Sequence, residues 1–196
     1  RNGEPFEALI TKKRALPNWQ ARWCTSLLKI KPLHALMRAE FGLAPGQYIE
    51  AVGFRKDEAD RIENMVEADA KTGRRRTAPL ARAGISKPDV LRYWLGQNTD
   101  PLLLTHPLPQ GFDLGLPLWK GNCTLCFATG RKIRKLRIRS DPHEAFWWRQ
   151  QEVRTGATFD RRDSIEDLVE EVRNQPEFSF DLDEDAHDSE CEAADG

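Results

Sequence analysis

From Phe180 to the end of the chain, acidic residues are interrupted by few large apolar side chains, so this stretch cannot build a core and is expected to be a flexible tail. The fold is thereby confined to what precedes it. Residues 161–196 carry 3 Lys/Arg against 14 Asp/Glu, a net charge of −11, whereas residues 1–160 carry 27 basic and 17 acidic residues, a net of +10. A basic body beside an acidic tail suits a protein that meets anions: phosphate, sulfate or nucleic acid. A tail that only keeps the body soluble would leave the same division. The 196 residues, 39% hydrophobic and 31% charged, suffice for a domain with its own core. No apolar run is long enough for a bilayer span, so no membrane partner is expected. The sequence opens Arg-Asn-Gly-Glu-Pro, with neither an initiator Met nor a signal-peptide pattern. We read this as a start inside a longer chain and expect a cytoplasmic location.

Local patterning predicts mostly helices. Residues 4–13 read as a short helix, followed by a Pro17-Asn18 turn. Pro32 is expected to open a second helix, with Leu33, Leu36 and Met37 on one face and Gly42 at its end. Residues 48–53 read as a strand closed by Gly53. Residues 56–70 read as a charged helix with Ile62, Met65 and Val66 inward. Residues 77–80 are extended. Ser86-Lys-Pro-Asp89 has the capping-box pattern, which predicts a helix to about Gln97 with Val90, Leu91, Trp94 and Leu95 as its apolar stripe. Residues 98–121 are loop-like, and a helix is expected after Cys123. Asp141-Pro142 starts another, carrying Phe146, Trp147 and Trp148. Ser164 or Asp163 caps a last amphipathic helix to about Asn174.

Four cysteines, Cys24, Cys123, Cys126 and Cys191, occur in a chain without secretory signs, which favours metal or redox work over disulfides. Cys123-Thr-Leu-Cys126 can grip one metal or cluster from a tight turn, with Cys24 brought in by the fold. Thiolates are soft ligands suited to zinc and to iron–sulfur clusters. Zinc would want a complete tetrahedral set, and there is no second Cys-x-x-Cys. Two small buried residues without a metal are the plainer alternative.

A second constellation is basic. Arg22, Lys29 and Lys31 flank Cys24, and Arg55 follows the strand that ends at Gly53. A glycine there lets backbone approach a ligand, and an arginine just beyond it can hold sulfate or phosphate through two hydrogen bonds. The plain reading of Arg55 is a pairing with Asp57 or Glu58. The basic run 131–139 could meet nucleic acid, but on a helix it reads better as a solvated face with Ile133 and Leu136 inward. Phe146-Trp147-Trp148 could stack bases, but at helical spacing it reads better as core. Of the histidines, His106, in the loop before the Cys-x-x-Cys, is the best candidate, and none is assigned to a metal.

Four motifs recur in a recognisable order. Trp23-Cys24-Thr25-x-x-Leu28-Lys29-x-x-Pro32-Leu33 comes first, then Val52-Gly53-Phe54-Arg55-Lys56-Asp57-Glu58-x-x-Arg61. Ala78-Pro79-Leu80 follows, ahead of Pro88-Asp89-Val90-x-x-Tyr93-Trp94. Gly121-Asn122-Cys123-x-x-Cys126 closes the series. Over roughly residues 5–150 the chain resembles the phosphoadenosine phosphosulfate (PAPS) reductase family, of the N-type ATP pyrophosphatase and adenine nucleotide alpha-hydrolase superfamily, and it looks closest to divergent phage and prophage members.

The resemblance implies an α/β, Rossmann-like adenine nucleotide alpha-hydrolase fold in residues 1–160, with its N-terminal strand-loop portion missing. The C-terminal part is helical, with a helix within 161–178 and an acidic tail at 179–196. It implies that Lys29 and Arg55, joined by Arg61 and by Arg22 beside Cys24, face the sulfate or phosphate end of PAPS, adenosine phosphosulfate (APS) or ATP. Cluster-bearing members hold a 4Fe–4S cluster on a Cys-Cys pair and a Cys-x-x-Cys pair. Here the first pair reads Cys24-Thr25, which leaves Cys24, Cys123 and Cys126 with Cys191 as the candidate fourth ligand. Cys191 also matches the position of the family's sulfur nucleophile, but it reads Glu190-Cys191-Glu192 without the following His. Acidic neighbours disfavour a thiolate, so the ligand role comes first. The superfamily's phosphate loop is rich in Gly-Gly, a dipeptide absent from this chain. The resemblance thus points to a PAPS reductase-like enzyme with an iron–sulfur cluster, a thiol reductant such as thioredoxin and a tendency to homo-oligomerise. Two alternatives keep the fold: ATP-dependent sulfur transfer to nucleic acid, and a non-catalytic binding domain.

Overall fold

The computed structural model describes residues 4–96, 108–109, 111–112, 114–115, 117, 119–120 and 123–175. The acidic tail, Cys191, His106 and most of the expected 98–121 loop lie outside the described residues. In chain order the elements are α1 (Glu4–Lys13), α2 (Trp23–Thr25), a π-helical turn (Ser26–Ile30), α3 (Lys31–Phe41), β1 (Glu50–Ala51) and α4 (Ala59–Thr72). They continue with β2 (Arg76–Thr77), α5 (Pro79–Arg82), α6 (Lys87–Trp94), α7 (Arg131–Ser140), α8 (His143–Thr155) and α9 (Ile165–Asn174). The chain divides into two compact units. One comprises the residues up to Leu33 with those from Pro117 to Gln175; the other runs from His34 to Gly115.

The first unit is helical. Helix α9 packs against both α7 and α8. Its core joins Ile10 of α1, Leu125 to Ala128 of the Cys-x-x-Cys turn, Ile138 of α7, Ala145 and Trp148 of α8, Phe159, and Ile165 and Leu168 of α9. Trp148 meets Phe159 edge-on, with ring centroids 4.7 Å apart. This is the core role expected of the aromatic run, although Phe146, its first residue, is exposed. Of the two expected caps of α9, Ser164 is the one that forms, and it does so as a capping box, its hydroxyl accepting the Asp167 N–H.

Pro32 does not open a helix. The helical path begins at Trp23 and passes through the π-helical turn before reaching Pro32, which sits inside α3. Proline has no N–H to give the carbonyl four residues back. The wider turn absorbs the disruption, with the Lys31 N–H donating to the Ser26 carbonyl five residues earlier. The far end of α3 does close at Gly42, at φ 68°, with Gly42 N–H on the Arg38 carbonyl and Leu43 N–H on that of Met37.

The second unit holds the strands. β1 and β2 are parallel, in register Glu50↔Arg76 and Ala51↔Thr77, and α4 lies between them in sequence. This is a βαβ crossover, the repeating piece of α/β sheets. The described residues contain only this two-stranded sheet, so the α/β expectation is met to the extent of a parallel βαβ unit in a mostly helical chain, and a Rossmann-like sheet is not among what they show. Phe54, Met65 and Ala78 form its small core, with Val52, Ile62 and Ala81 against them. Val66, expected inward, is exposed, as are Leu36, Trp94 and Leu95. The sheet is too small to cover every apolar face that the helices present. No helix among the described residues is long and apolar enough to cross a membrane.

Candidate functional site

In the second unit the chain leaves β1 through Val52, Gly53 and Phe54 to Arg55. A Cβ built on Gly53 would meet nothing within 4 Å, so the backbone here is open to approach. Arg55 is held by two acids: Nη2 lies 3.0 Å from Asp57 Oδ2, and Nη1 lies 3.3 Å from Glu58 Oε2. Its backbone N–H also donates to Glu58 Oε2 at 3.0 Å. Arg61 pairs with the other oxygen of Glu58, and its guanidinium covers the Phe54 ring at 4.5 Å. One buried carboxylate thus fixes both guanidiniums that the sequence reading assigned to the sulfate or phosphate end of a ligand. Burial pushes the Asp57 carboxyl up, but the hydrogen bonds and charge of Arg55, with the Lys87 N–H, outweigh it and leave the carboxyl below its ordinary range.

In the first unit, Lys29 is exposed on the π-helical turn, a geometry frequent at functional sites. The Arg22 guanidinium lies 5.8 Å from the centroid of the Trp19 ring. Cys24 is half-buried and packs against the core cluster that contains Cys126. The segment after Cys123 is not a helix; it is a chain of turns, with Cys126 N–H on the Cys123 carbonyl at 3.2 Å and Thr129 N–H on the Cys126 carbonyl at 2.9 Å. Helix α7 begins only at Arg131. Cys123 is exposed and Cys126 buried, so the turn presents one thiol to the surface and one to the core.

Behind this turn stands Arg137, which the sequence reading placed on a solvated face. It is 1% exposed. Its Nε and Nη2 donate to the Trp119 carbonyl at 2.9 and 2.6 Å, and Nη1 donates to the carbonyls of Cys123 and Thr124 at 3.0 and 2.9 Å. Arg134, one turn earlier, is fully buried against Asp160 at 2.7 Å. Arg131 and Lys135 pair with acids of the α9 region, Asp163 and Glu171. The charges of the 131–139 run are therefore engaged largely within the protein, not laid out as a free basic stripe. No residue pattern in the run itself marks this, because the partners lie 13 or more residues away.

Among the described residues, no group of three or more His, Cys, Asp or Glu side chains is gathered that could hold a metal. The Cys-x-x-Cys turn supplies two soft thiol donors, one at the surface and one in the core, short of the set that a metal ion or cluster requires. It accounts for two ligands of the expected set. Cys24 shares a core cluster with Cys126, and Cys191 lies outside the described residues. Comparison with protein-family models, with curated proteins and with solved structures finds no match to this chain.

Proposed function

We propose that the chain is a PAPS reductase-like enzyme that acts on a sulfated or adenylylated nucleotide. The observation that carries this reading is the parallel β1–α4–β2 crossover with Gly53-Phe54-Arg55 at the carboxyl end of β1. In open α/β sheets that end of a strand is where nucleotide ligands bind, and an open glycine followed by a fixed guanidinium suits an anionic group. Glu58 holds Arg55 and Arg61 together, so both are oriented before a ligand arrives, and the exchange of Asp57 for a sulfate or phosphate oxygen frees an Arg55 edge. A thiol reductant of the thioredoxin kind fits the two electrons that reduction of the sulfuryl group of a phosphosulfate anhydride to sulfite requires.

The same proposal includes an iron–sulfur cluster on Cys24, Cys123 and Cys126, with Cys191 as the fourth ligand. Such a cluster supplies a compact redox-capable centre when bound. The chain's own contribution is the Cys123–Cys126 turn and the half-buried Cys24 beside the same core.

Calorimetric titration of PAPS, APS and ATP into the full chain tests the nucleotide site. We expect PAPS or APS to bind and Arg55→Ala to weaken binding by about 10- to 100-fold, the scale of charged hydrogen bonds lost. Binding of none of the three nucleotides, or binding unchanged in both Arg55→Ala and Arg61→Ala, would sink the reading. Iron and acid-labile sulfide on anaerobically purified protein, with Cys24→Ser, Cys126→Ser and Cys191→Ser in parallel, tests the cluster. Protein without iron or sulfide removes it.

A further inference from the structure

The cations of the first unit fall into two groups. Along α7 they are engaged: Arg131 with Asp163 and Glu171, Arg134 with Asp160, Lys135 with Glu171, and Arg137 with three carbonyls. At the end of α1, and between α8 and α9, they are not. Lys12, Lys13, Arg14 and Arg161 are exposed, and among the described residues none of the four has a carboxylate within ion-pair distance. Positive charge open to a ligand therefore lies outside the basic run 131–139.

One of these cations borders a recess. The recess, about 300 Å³, lies between residues 18–20 and residues 159–162. Part of its lining is the Trp19 indole, 44% exposed and set edge-on against Phe127, with ring centroids 6.0 Å apart. Arg161 ties the two sides together, its Nη2 donating to Gln20 Oε1 at 2.7 Å, and this is its one hydrogen bond among the described residues. Asn18 turns its Oδ1 back to accept the N–H groups of Gln20 and Ala21 at 2.9 and 3.0 Å. Its amide NH2 is left as a donor with no acceptor among the described residues. Asp160, the one acid of the lining, is 2% exposed and engaged by Arg134 and Arg162. The basic surface continues outward from Trp19. The Arg22 guanidinium lies 5.8 Å from the centroid of the Trp19 ring, and Lys13 Nζ lies 5.6 Å from that of Trp23, the residue after Arg22.

An accessible flat ring, an amide donor and a guanidinium without an acid are what an unstacked base and its phosphate require. Every base offers a π-face to an aromatic side chain, and a phosphate matches the fork of a guanidinium. A duplex keeps its bases stacked on one another and offers Trp19 no such face. A lipid surface takes up side chains that project into it, whereas Trp19 lines a recess. We propose that this recess binds single-stranded nucleic acid. One base stacks on Trp19 with its edge accepting from the Asn18 amide, a neighbouring phosphate lies on Arg161, and Arg22 and Lys13 follow the strand. The site lies wholly in the first unit and does not rest on the nucleotide reading of the second.

The test is the fluorescence anisotropy of a labelled oligothymidylate titrated with the reduced full chain at low ionic strength. The probe carries no adenine nucleotide, so its binding reads this recess separately from the titration of PAPS, APS and ATP. We expect binding that weakens as salt rises. Trp19→Ala should weaken it by about 5- to 150-fold, the range that base–aromatic stacking supplies, and Trp19→Phe should keep most of it. Arg161→Gln should lower the slope of log affinity against log salt by about 0.7, the share of one phosphate contact on a single strand. Far-ultraviolet circular dichroism checks the fold of each variant, and Trp19→Leu, which fills the space without a ring, replaces Trp19→Ala if that variant does not fold. No binding of oligothymidylate overturns the proposal, and so does an affinity that loss of the Trp19 ring leaves unchanged. Equal affinity for a duplex of the same length overturns the stacked base. A salt slope unchanged in Arg161→Gln overturns the phosphate contact. Binding to phosphatidylserine vesicles that depends on Trp19, without binding of oligothymidylate, would make this a membrane-facing surface and overturns the proposal as well.

Discussion

The two ends of one helical turn in α7 handle a buried charge in opposite ways. Arg134 is fully buried and meets a carboxylate, Asp160, at 2.7 Å, while its Nε and Nη1 find no hydrogen-bond partner among the described residues. Arg137, three residues on, has each of its three guanidinium nitrogens on a carbonyl and, among the described residues, no carboxylate within ion-pair distance. The first arrangement neutralises charge and leaves donors unmet; the second meets donors and leaves charge. A charge neutralised from within the chain belongs to the fold, because everything that stabilises it is already present. A charge satisfied only by dipoles instead organises backbone, here the carbonyls of Trp119, Cys123 and Thr124.

Breaking the Arg134 end should produce the largest effect. Asp160 is 2% exposed and also accepts from Arg162, through Nη2 at 2.9 Å and the backbone N–H at 3.0 Å. Asp160→Asn leaves the buried Arg134 guanidinium with only Asp163, at 4.0 Å, as a counter-ion, and the loss expected in urea unfolding is about 3 kcal/mol. Arg134→Met/Asp160→Asn, which removes the cation as well, should recover most of it. If the single and double variants lose equally, the pair is not what stabilises this end.

The same pair predicts a pH dependence. Burial pushes the Asp160 carboxyl up, but the hydrogen bonds from Arg162 and the charges of Arg134 and Arg162 more than reverse this, so its folded pKa lies below the ordinary 3.8. The unfolded chain therefore binds a proton more readily than the folded one in that window. The contribution of Asp160 is complete above pH 3.8 and is lost as pH falls through the folded value. Glu152 runs the other way. Burial, the largest influence, holds its carboxyl above the ordinary 4.5 despite two backbone N–H donors, so its ionisation opposes folding as pH rises through the folded value. Unfolding free energy measured against pH in the wild type and in Asp160→Asn should show a shallower acid limb in the variant. Parallel acid limbs would contradict the assignment.

Much of this contrast was hidden from the sequence, for a definite reason. Helical spacing tells which residues share a face, and the caps at Ser86 and Ser164 and the turn at Gly42 were legible because their partners lie within a few residues. An arginine on a helix reads as solvated unless its partner is known. The partner of Arg134 is 26 residues away, and those of Arg137 are 13 to 18 residues back. The Cys-x-x-Cys was legible as chemistry, while its setting as a chain of turns ahead of α7 was not. The strand at 48–53 was legible in place and direction of the chain, but its pairing shrank to two residues. Arg55 had two readings in sequence, ligand or partner of Asp57 and Glu58, and the structure shows the acids already in contact with it.

A smaller effect sharpens the view of how Asp160 is delivered. Glu152, 7% exposed, accepts the Phe159 N–H on Oε1 at 3.0 Å and the Ile165 N–H on Oε2 at 2.8 Å, so one side chain of α8 pins both ends of the segment carrying Asp160. Glu152→Gln keeps one acceptor and turns a donor toward the other N–H. A loss of about 1–3 kcal/mol is expected, less than at Asp160 because no charge is stranded. A loss as large as that of Asp160→Asn would mean that the segment, rather than the ion pair, is the stabilising feature.

The smallest effect belongs to the third cation of the helix, and it calibrates the other two. Arg131 reaches Asp163 at 3.0 Å and also Glu171, with a side chain 38% exposed. By the count of acidic partners it equals Arg134, which meets Asp160 and, at 4.0 Å, Asp163. Water reaches it, however, and screening with side-chain entropy reduces an exposed pair to about 0–1 kcal/mol. Arg131→Ala should therefore cost no more than that, and added salt should shrink the difference further. A cost matching Asp160→Asn would mean that partner number outweighs burial along α7. The contrast between Arg134 and Arg137 would then have to be argued from partners alone, and the absence of a carboxylate at Arg137 would weigh more, not less.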